Sequence, residues 1–433
     1  MSRLSYREAT DFLFNLESSA IKLGLDNTIN LLAAVGDPQR RFESVHIAGT
    51  NGKGSVACFL NSILCHSGLS TGLFTSPHLV DYRERIRIDG KAIARGEVSR
   101  LVSAVQGHVK RIGASYFEAT TAVAFEYFAD HAIDIAVVEV GMGGRLDSTN
   151  VIEPLATCVT TIDFDHEKYL GRTLSEIAGE KAGIIKLGVP LVCGSMPDAA
   201  LATISAVARK KKARLFRVGR HASAERLTSG LDGSVFDYRG LGPRRRLRTR
   251  LLGAHQVANA AVAVLVAEVL KSAGAGITSD SIEAGVESAF WPGRFQVLRK
   301  RPLVICDGAH NASGARALAA GLDDLRIGGA ETVFGVLRDK NYGRMLRILS
   351  SRSAEFVFTK PVSPRALPVR KLVEEGRRAG LAFTSAGSLD KAVAIGLERA
   401  RRAGRPVVVC GSLYAIGEAM RFFGFQPHLA RLC

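Results

Sequence analysis

The sequence predicts an α/β fold with a mostly parallel sheet, and three observations support this. Short apolar runs rich in Val and Ile recur along the chain, and longer helical patterns separate them. Runs of this kind are typical of strands buried on both faces, as in parallel sheets. A glycine-rich turn also joins the first run to a helical pattern. Together these features indicate repeated βαβ units.

Eight apolar runs are predicted to be strands, and several helical patterns lie between them. The predicted strands are 44–48, 133–140, 156–162, 189–194, 302–307, 332–336, 355–359 and 405–410. The clearest helical patterns are VACFLNSILCHSG (56–68), ATTAVAFEYFADHA (119–132) and ARALAAGLDDL (315–325). Residues 215–250 carry Gly-rich turns and alternating charges, which predict a small antiparallel excursion.

The segment FWPGRFQ (290–296) predicts the main domain boundary, because Pro292 and Gly293 interrupt the alternation there. We therefore expect a larger N-terminal domain at 1–295 and a smaller Rossmann-like α/β domain at 296–433. A length of 433 residues is compatible with either two or three domains.

Composition excludes some classes of protein and leaves others open. Apolar residues are 47% and charged residues 23%, which excludes a disordered or collagen-like chain. The formal net charge of +17 indicates anionic partners, among which nucleic acid, acidic membranes, nucleotides and polycarboxylates remain possible.

The cysteines and the apolar segments predict a cytoplasmic protein. Seven cysteines without a CxxC pair favour a reducing compartment. The N-terminus contains no uninterrupted apolar stretch typical of a signal sequence. The longest apolar segment, 257–270, is interrupted by Asn259 and Glu268 and is too short and polar to span a bilayer. We expect no membrane partner.

The sharpest local motif is AGTNGKGS (48–55), which lies between a predicted strand and a predicted helix. Its glycines let the backbone approach an anion, and N–H groups at a helix N-terminus bind phosphate. Lys53 would reach the β and γ oxygens. The match to G-x-x-x-x-G-K-[ST] is incomplete, since Ile47 replaces the first Gly and Gly54 separates Lys53 from Ser55. An ordinary glycine-rich turn is the alternative.

Further polar residues follow other predicted strands. Glu139 lies at the end of an apolar run, where open α/β sheets bind ligands, and it favours a metal or cation over a structural ion pair. His166 is a competent metal ligand, although a surface or capping residue is the commoner role. Taken alone, Lys181 indicates a solvated helix face, and Ser76 before Pro77 indicates a turn.

Ten motifs in order resemble one known family. GTNGKGS, TSPHL, YFEATTAVAF, VEVGMGGRLDSTN, DFDHEKYLG, EKAGIIK, GAHQVANA, PGRFQ, DGAHN and GSLYAIGE are similar to those of folylpolyglutamate synthase and dihydrofolate synthase, within the Mur-ligase superfamily. The resemblance extends from about residue 20 to about residue 420. It implies a P-loop ATPase domain followed by a ligase domain.

The resemblance implies an ATP-dependent amide ligase that works through an acyl phosphate. It identifies Lys53 as the phosphate-contacting lysine and Lys181 as a lysine that reacts with CO₂ to form a carbamate. With His166, these are the expected catalytic residues. Two Mg²⁺ ions are implied, at Ser55, Ser76, Glu139, His166 and Lys181. Phosphoryl transfer depends on positioning and charge neutralisation, which agrees with these residue types.

The implied binding residues come from both predicted domains. ATP is expected at Gly49, Thr50, Asn51, Gly52, Lys53, Gly54, Ser55, Asn259, Arg294, Asp307 and His310. Because Arg294 lies at the predicted boundary, ATP-dependent domain closure is one hypothesis, and a solvated linker charge is the alternative. The pterin-containing substrate is expected at Ser115, Tyr116, Phe117, Glu118, Leu146, Asp147 and Ser148. Phe117 would stack on the pterin ring or else pack in the core.

Three reactions are open within the superfamily. The first adds L-glutamate to dihydropteroate, and the second adds L-glutamate to a folate. The third adds an amino acid to a nucleotide-linked cell-wall precursor. TSPHL, DGAHN and GSLYAIGE favour the folate branch. IKLGLDN (21–27) resembles a dihydropteroate-binding segment, but Lys22 occupies its acidic position. A bifunctional or folate-extending enzyme is the favoured interpretation.

A nucleic-acid-binding protein with a nucleotide switch is the alternative from another class. RKKKAR (209–214) and PRRRLRTR (243–250) are the densest basic runs, but no aromatic residues alternate with them. We therefore expect a solvated charged face and no nucleic-acid partner. Low aromatic content and short connections also predict a monomer.

Overall fold

A computed structural model describes residues 3–16 and 24–433 and arranges them as three β-sheets with surrounding helices. The α-helices are α1 Tyr6–Leu16, α2 Asp26–Ala34, α3 Lys53–His66, α4 Arg95–Ile112, α5 Tyr116–Asp130, α6 Glu167–Leu170, α7 Leu174–Ala182, α8 Asp198–Lys210, α9 Ala254–Ser272, α10 Ser279–Ser288, α11 Ala312–Asp324, α12 Tyr342–Leu349, α13 Val369–Arg378, α14 Leu389–Ala403 and α15 Leu413–Phe422. Short 3₁₀ helices lie at Pro38–Arg40, Tyr82–Arg85, Ser148–Val151 and Pro427–Leu429.

The strands fall into one large sheet and two smaller ones. They are β1 Glu43–Ala48, β2 Thr71–Phe74, β3 Ile86–Ile88, β4 Lys91–Ala92, β5 Ile135–Glu139, β6 Ala156–Val159, β7 Leu191–Cys193, β8 Leu215–Arg217, β9 Ser223–Gly230, β10 Gly233–Arg239, β11 Arg245–Thr249, β12 Gln296–Lys300, β13 Leu303–Cys306, β14 Ala330–Phe334, β15 Ser353–Phe358, β16 Phe383–Ser385 and β17 Val407–Cys410.

The first sheet has the order β4-β3-β2-β5-β1-β6-β7-β8. The six strands from β2 to the β8 edge pair in parallel, whereas β3 pairs antiparallel with both β2 and β4. Successive residues of its strands point to opposite faces. Ile135 and Val137 contribute to a core with α3 and α9, whereas Ala136 and Val138 contribute to a core with α4 and α5. Strands buried on both faces explain the unbroken apolar runs of the sequence.

The predicted antiparallel excursion at 215–250 is right for most of its length and wrong at its start. β9, β10 and β11 form a separate antiparallel sheet. β8, however, pairs in parallel with β7 and extends the first sheet. A three-residue edge strand carries too little periodicity to be separated from the strands that follow it.

The third sheet begins at Gln296 and has the order β12-β13-β17-β14-β15-β16. β12 is antiparallel to β13, and the other neighbours are parallel. The predicted α/β fold, with a larger parallel-sheet part and a smaller C-terminal one, is confirmed. The boundary between residues 295 and 296 stays a prediction.

Helix α9 is the one described helix that is long and apolar enough to cross a membrane by length and composition. In the structure, 78% of its most apolar 18-residue stretch is buried inside the protein. It packs against α3 and the first sheet. Its apolar surface is therefore covered by the chain itself.

Candidate functional site

Residues that the sequence analysis selected lie at the carboxyl ends of four adjacent strands. β2, β5, β1 and β6 are neighbours in the first sheet and run parallel. Each is followed by selected residues, namely Ser76 after β2, Glu139 at the end of β5, the loop 49–52 after β1 and His166 beyond β6. Parallel strands present ligand groups at this edge.

The loop between β1 and α3 is fixed by the segment that follows β6. The Thr50 N–H donates to the Thr161 carbonyl at 2.7 Å, and the Thr160 hydroxyl donates to the Asn51 carbonyl at 2.6 Å. Gly52 has a φ of 84°, in the left-handed region, and α3 begins at the next residue, Lys53. The loop therefore ends at a helix N-terminus, whose free N–H groups favour anions.

Gly49→Ala is expected to destabilise this loop. An added Cβ would lie 1.9 Å from the Thr160 hydroxyl oxygen, on a backbone with a φ of +150°. Overpacking of this kind costs about 1–3 kcal/mol of folding free energy, and it should weaken binding of a non-hydrolysable ATP analogue by about tenfold or more. Urea unfolding and calorimetry measure the two effects. Gly328→Ala is the matched control, because its Cβ would meet no atom within 4 Å. Equal behaviour of the two variants would contradict the prediction.

Two lysines converge on the carbonyl of Gly49. Lys53 Nζ donates to this oxygen at 3.0 Å and Lys181 Nζ donates to it at 2.9 Å. Lys181 lies on α7 and is only 4% exposed, so the solvated helix face suggested by the sequence taken alone is wrong. Burial, followed by the charge of Lys53, lowers the pKa of Lys181 to about 7. A large share of this amine is therefore neutral at neutral pH, the state that reacts with CO₂.

Glu139 is a buried carboxylate on which the charge of Lys53 acts. Its Oε2 accepts the Ser76 N–H at 3.1 Å, and burial raises its pKa, against the charges of Lys53 and Arg294. Ser55 is buried on the first turn of α3. Within residues 3–16 and 24–433 no group of three or more His, Cys, Asp or Glu side chains is gathered for a metal ion. Any ion here would thus also need hydroxyls, waters or a modified lysine.

His166 has a left-handed backbone, with a φ of 51°, and it immediately precedes α6. Burial, followed by the charge of Lys340, lowers its pKa to about 4. The imidazole is therefore neutral at neutral pH, which is the form that ligates a metal. The predicted metal role of His166 is chemically consistent with this environment.

Asp165 joins the first sheet to the third, and sequence reasoning did not select it. Its carboxylate accepts from Lys340 Nζ at 2.5 Å and from Asn311 Nδ2 at 3.2 Å, and His310 Nε2 lies 3.5 Å away. Burial acts to raise the pKa of Asp165, but the His310 hydrogen bond and the Lys340 charge hold it well below its usual range. The motif DFDH was a signal, although nothing in it indicated partners at 310–340.

The predicted nucleotide residues lie around the loop, and one of them, Asp307, also has a structural role. Gly52 lies so close to Asn259 that an added Cβ would be 2.5 Å from the amide oxygen. Arg294 lies against Gly308. Asp307 accepts the N–H groups of Phe295 at 2.7 Å and Ala309 at 2.8 Å, so its carboxylate holds the turn that carries Arg294.

The predicted pterin residues lie at the N-terminus of α5 and in the turn after β5. Phe117 packs on Gly141, where an added Cβ would be 2.5 Å from its ring, and it stacks on Phe74 at 5.9 Å between centroids. Phe117 thus contacts the turn that precedes the second predicted stretch. The remaining members are Ser115, Tyr116 and Glu118 on one side and Leu146, Asp147 and Ser148 on the other.

Several of these residues also have structural roles. Ser115 and Glu118 form a capping box at the start of α5. The Asp147 carboxylate accepts the Met142 N–H at 2.8 Å and the Thr149 hydroxyl at 2.5 Å, and burial raises its pKa. Lys22 lies outside the described residues. The pterin assignments stay predictions.

Comparisons with known proteins agree over nearly the whole chain. The Mur ligase middle domain model matches residues 47–267, and the Mur ligase glutamate ligase domain model matches residues 293–413. A dihydrofolate synthase/folylpolyglutamate synthase of Bacillus subtilis is 33% identical, over 96% of this chain and 98% of its own.

A second relative is longer than this chain, and a solved structure has the same fold as this chain. A probable bifunctional folylpolyglutamate synthase/dihydropteroate synthase of Haloferax volcanii is 34% identical over 96% of this chain, which spans about half (50%) of that relative's length. The folylpolyglutamate synthase of Mycobacterium tuberculosis, solved with ADP and AMPPCP, is 34% identical with a TM-score of 0.91, covering 97% of this chain and 100% of its own.

Proposed function

Since the chain belongs to the folylpolyglutamate synthase and dihydrofolate synthase family of Mur ligases, we propose that it uses ATP to join L-glutamate to a folate or to dihydropteroate. The observation that carries this proposal is the convergence of Lys53 and Lys181 on the Gly49 carbonyl. The charge of Lys53 also acts on Glu139, at the edge of the sheet where phosphate ligands bind. The cell-wall reaction is not favoured, because the relatives with which the chain aligns are named as dihydrofolate or folylpolyglutamate synthases.

In the proposed reaction, a substrate carboxylate attacks the γ-phosphate of ATP, and the amine of glutamate then displaces phosphate from the acyl phosphate. The loop 49–52 and the N-terminus of α3 would hold the phosphates, and Lys53 would neutralise their charge. Preorganised groups of this kind stabilise developing charge without reorganising.

The residues present fit Mg²⁺, and we propose that Glu139, His166, Ser55 and Ser76 hold two ions. The buried carboxylate of Glu139 and the neutral imidazole of His166 lie at one sheet edge. The two hydroxyls come from the first turn of α3 and from the turn that follows β2. Mg²⁺ would draw negative charge from the transferring phosphoryl group and orient its oxygens. A carbamate on Lys181 would add an oxygen donor to a set that has one carboxylate, and the lowered pKa of this lysine supports it.

The remaining assignments are proposals too. Seven cysteines without a disulfide support a reducing, cytoplasmic location. We also propose that the protein works as a monomer and binds neither nucleic acid nor membrane. Sub-micromolar binding to nucleic acid at physiological salt, in a gel-shift assay, would overturn the nucleic-acid part.

The test of the function is a single set of incubations. Purified protein is incubated with ATP, Mg²⁺ and labelled glutamate, with dihydropteroate or a reduced folate in separate tubes. We expect a product heavier than its acceptor by one glutamyl group, and ADP in equal amount. The tube that yields product tells dihydrofolate synthase from folylpolyglutamate synthase. Failure with both acceptors would overturn the proposal, and a Lys53→Ala variant should be inactive with either.

A further inference from the structure

Two thiols that are far apart in the sequence lie in contact on the side of the first sheet that α3 covers. Cys65 is on the last turn of α3, and Cys433 is on the segment 427–433. Their Sγ atoms are 2.6 Å apart. Both residues are partly exposed, whereas the other five cysteines are buried. A disulfide requires an S–S separation of about 2.05 Å, so little movement separates this pair from a covalent bond.

The segment 427–433 is held against the first sheet by buried groups. The Arg87 guanidinium, which is only 2% exposed, donates to the carbonyls of Pro427 and Ala430 at 2.8 Å each. Leu432 is completely buried in the core that contains α3. Gly90 lies so close to Cys433 that an added Cβ would be 2.7 Å from its sulfur. Packing therefore sets the position of the Cys433 thiol.

The two sulfurs differ in chemistry. The hydrogen bond with Cys65, followed in the same direction by the charge of Arg431, lowers the pKa of Cys433 although partial burial acts against both. By contrast, the hydrogen bond with Cys433, followed by burial, raises the pKa of the Cys65 thiol. Since the thiolate is the nucleophile, Cys433 is the more reactive of the two sulfurs in contact.

We propose that Cys65 and Cys433 form a redox-sensitive pair, which a peroxide converts into a disulfide that fastens segment 427–433 to α3. In the first step the Cys433 thiolate attacks a peroxide oxygen, the O–O bond breaks, and the departing hydroxide takes a proton to become water. In the second step the Cys65 sulfur attacks the Cys433 sulfenic acid, the S–O bond breaks, and a second water leaves. Two thiols are oxidised and one peroxide is reduced, and a dithiol reductant reverses the change.

The bond would join parts of the chain that carry different sheets. Segment 427–433 follows α15, which packs on the third sheet, and α3 begins at Lys53 and packs on the first. Oxidation would thus restrain movement of the third sheet relative to the phosphate loop. Amide exchange in 427–433 should slow by about tenfold, because opening of this segment would no longer be independent of α3.

The test treats the reduced, full-length protein with equimolar hydrogen peroxide. We expect two fewer reactive thiols, a cross-linked peptide containing Cys65 and Cys433, and slower amide exchange in 427–433, all reversed by dithiothreitol. A Cys433 sulfinic acid without the cross-link, or a Cys433 bond to a second molecule, would overturn the proposal.

Two variants separate this chemistry from general oxidation. Cys433→Ser, which keeps only the Cys65 thiol of the pair, should form no cross-link and should keep its thiol count after peroxide treatment. Cys65→Ser should stop at the Cys433 sulfenic acid, which dimedone traps. Loss of two thiols in either variant would contradict the pairing. Circular dichroism of both reduced variants should match the parent, since each replaces one sulfur with oxygen at a partly exposed position.

Discussion

Lys181→Ala is expected to lower kcat by about 10²- to 10³-fold, the loss typical of removing one preorganised group that stabilises transition-state charge. Lys181 is buried and donates a hydrogen bond to the Gly49 carbonyl, and the nearby charge of Lys53 helps to lower its pKa. If it carries the carbamate, its removal takes an anionic oxygen donor from the site. The measurement is ATP-dependent glutamate transfer at saturating substrates, together with urea unfolding to show that the variant folds.

Three controls make this result specific. Lys210→Ala, at an exposed position on α8, should leave kcat unchanged. Short carboxylates such as acetate should partly restore Lys181→Ala, because they supply the missing oxygen donor. Depleting CO₂ should slow the parent enzyme more at pH 6 than at pH 8, because with a pKa of about 7 the amine is mostly protonated below that value. Full activity of Lys181→Ala would reject the carbamate role.

Asp165→Ala is expected to cost about 3–5 kcal/mol of folding free energy and to reduce turnover as well. The substitution would leave the Lys340 ammonium, which is only 8% exposed, without its 2.5 Å partner. It would also remove the acceptor that Asn311 and His310 share. Urea unfolding measures the first effect, and glutamate transfer measures the second.

Asp163→Ala is the matched control, two residues earlier in the same segment. Asp163 pairs with Arg316 at 3.1 Å, but its side chain is 29% exposed and that of Arg316 is 49% exposed. Exposed pairs contribute only about 0–1 kcal/mol. Equal destabilisation by the two substitutions would show that burial of the Asp165 cluster has no special role.

The apolar runs determined the layers of the fold well, because burial on both faces leaves an unbroken Val and Ile pattern. All eight predicted strands are present, at 135–139 and 303–306 for example, although the structure makes most of them shorter. β2, β3, β4, β8, β12 and β16 were not predicted. Most of these are short or lie at sheet edges, where periodicity is brief.

The candidate site likewise contains residues that the sequence could identify and residues that it could not. The glycines and Lys53 of loop 49–54 were recognisable because a phosphate cradle is local in sequence. Lys181 was not recognisable from its own helix, since α7 gains its buried face only by packing against other elements. Family resemblance selected it, and burial supplied the physical reason.

Sequence by itself therefore determined the α/β class, the phosphate loop and the family, all of which depend on short-range pattern or on motif order. Tertiary structure alone decided the pairing of Asp165 with Lys340 and of Cys65 with Cys433, which lie 175 and 368 residues apart. The reason is physical. Such partners meet through strand order and helix packing, and no local periodicity encodes the distance between groups on different sheets.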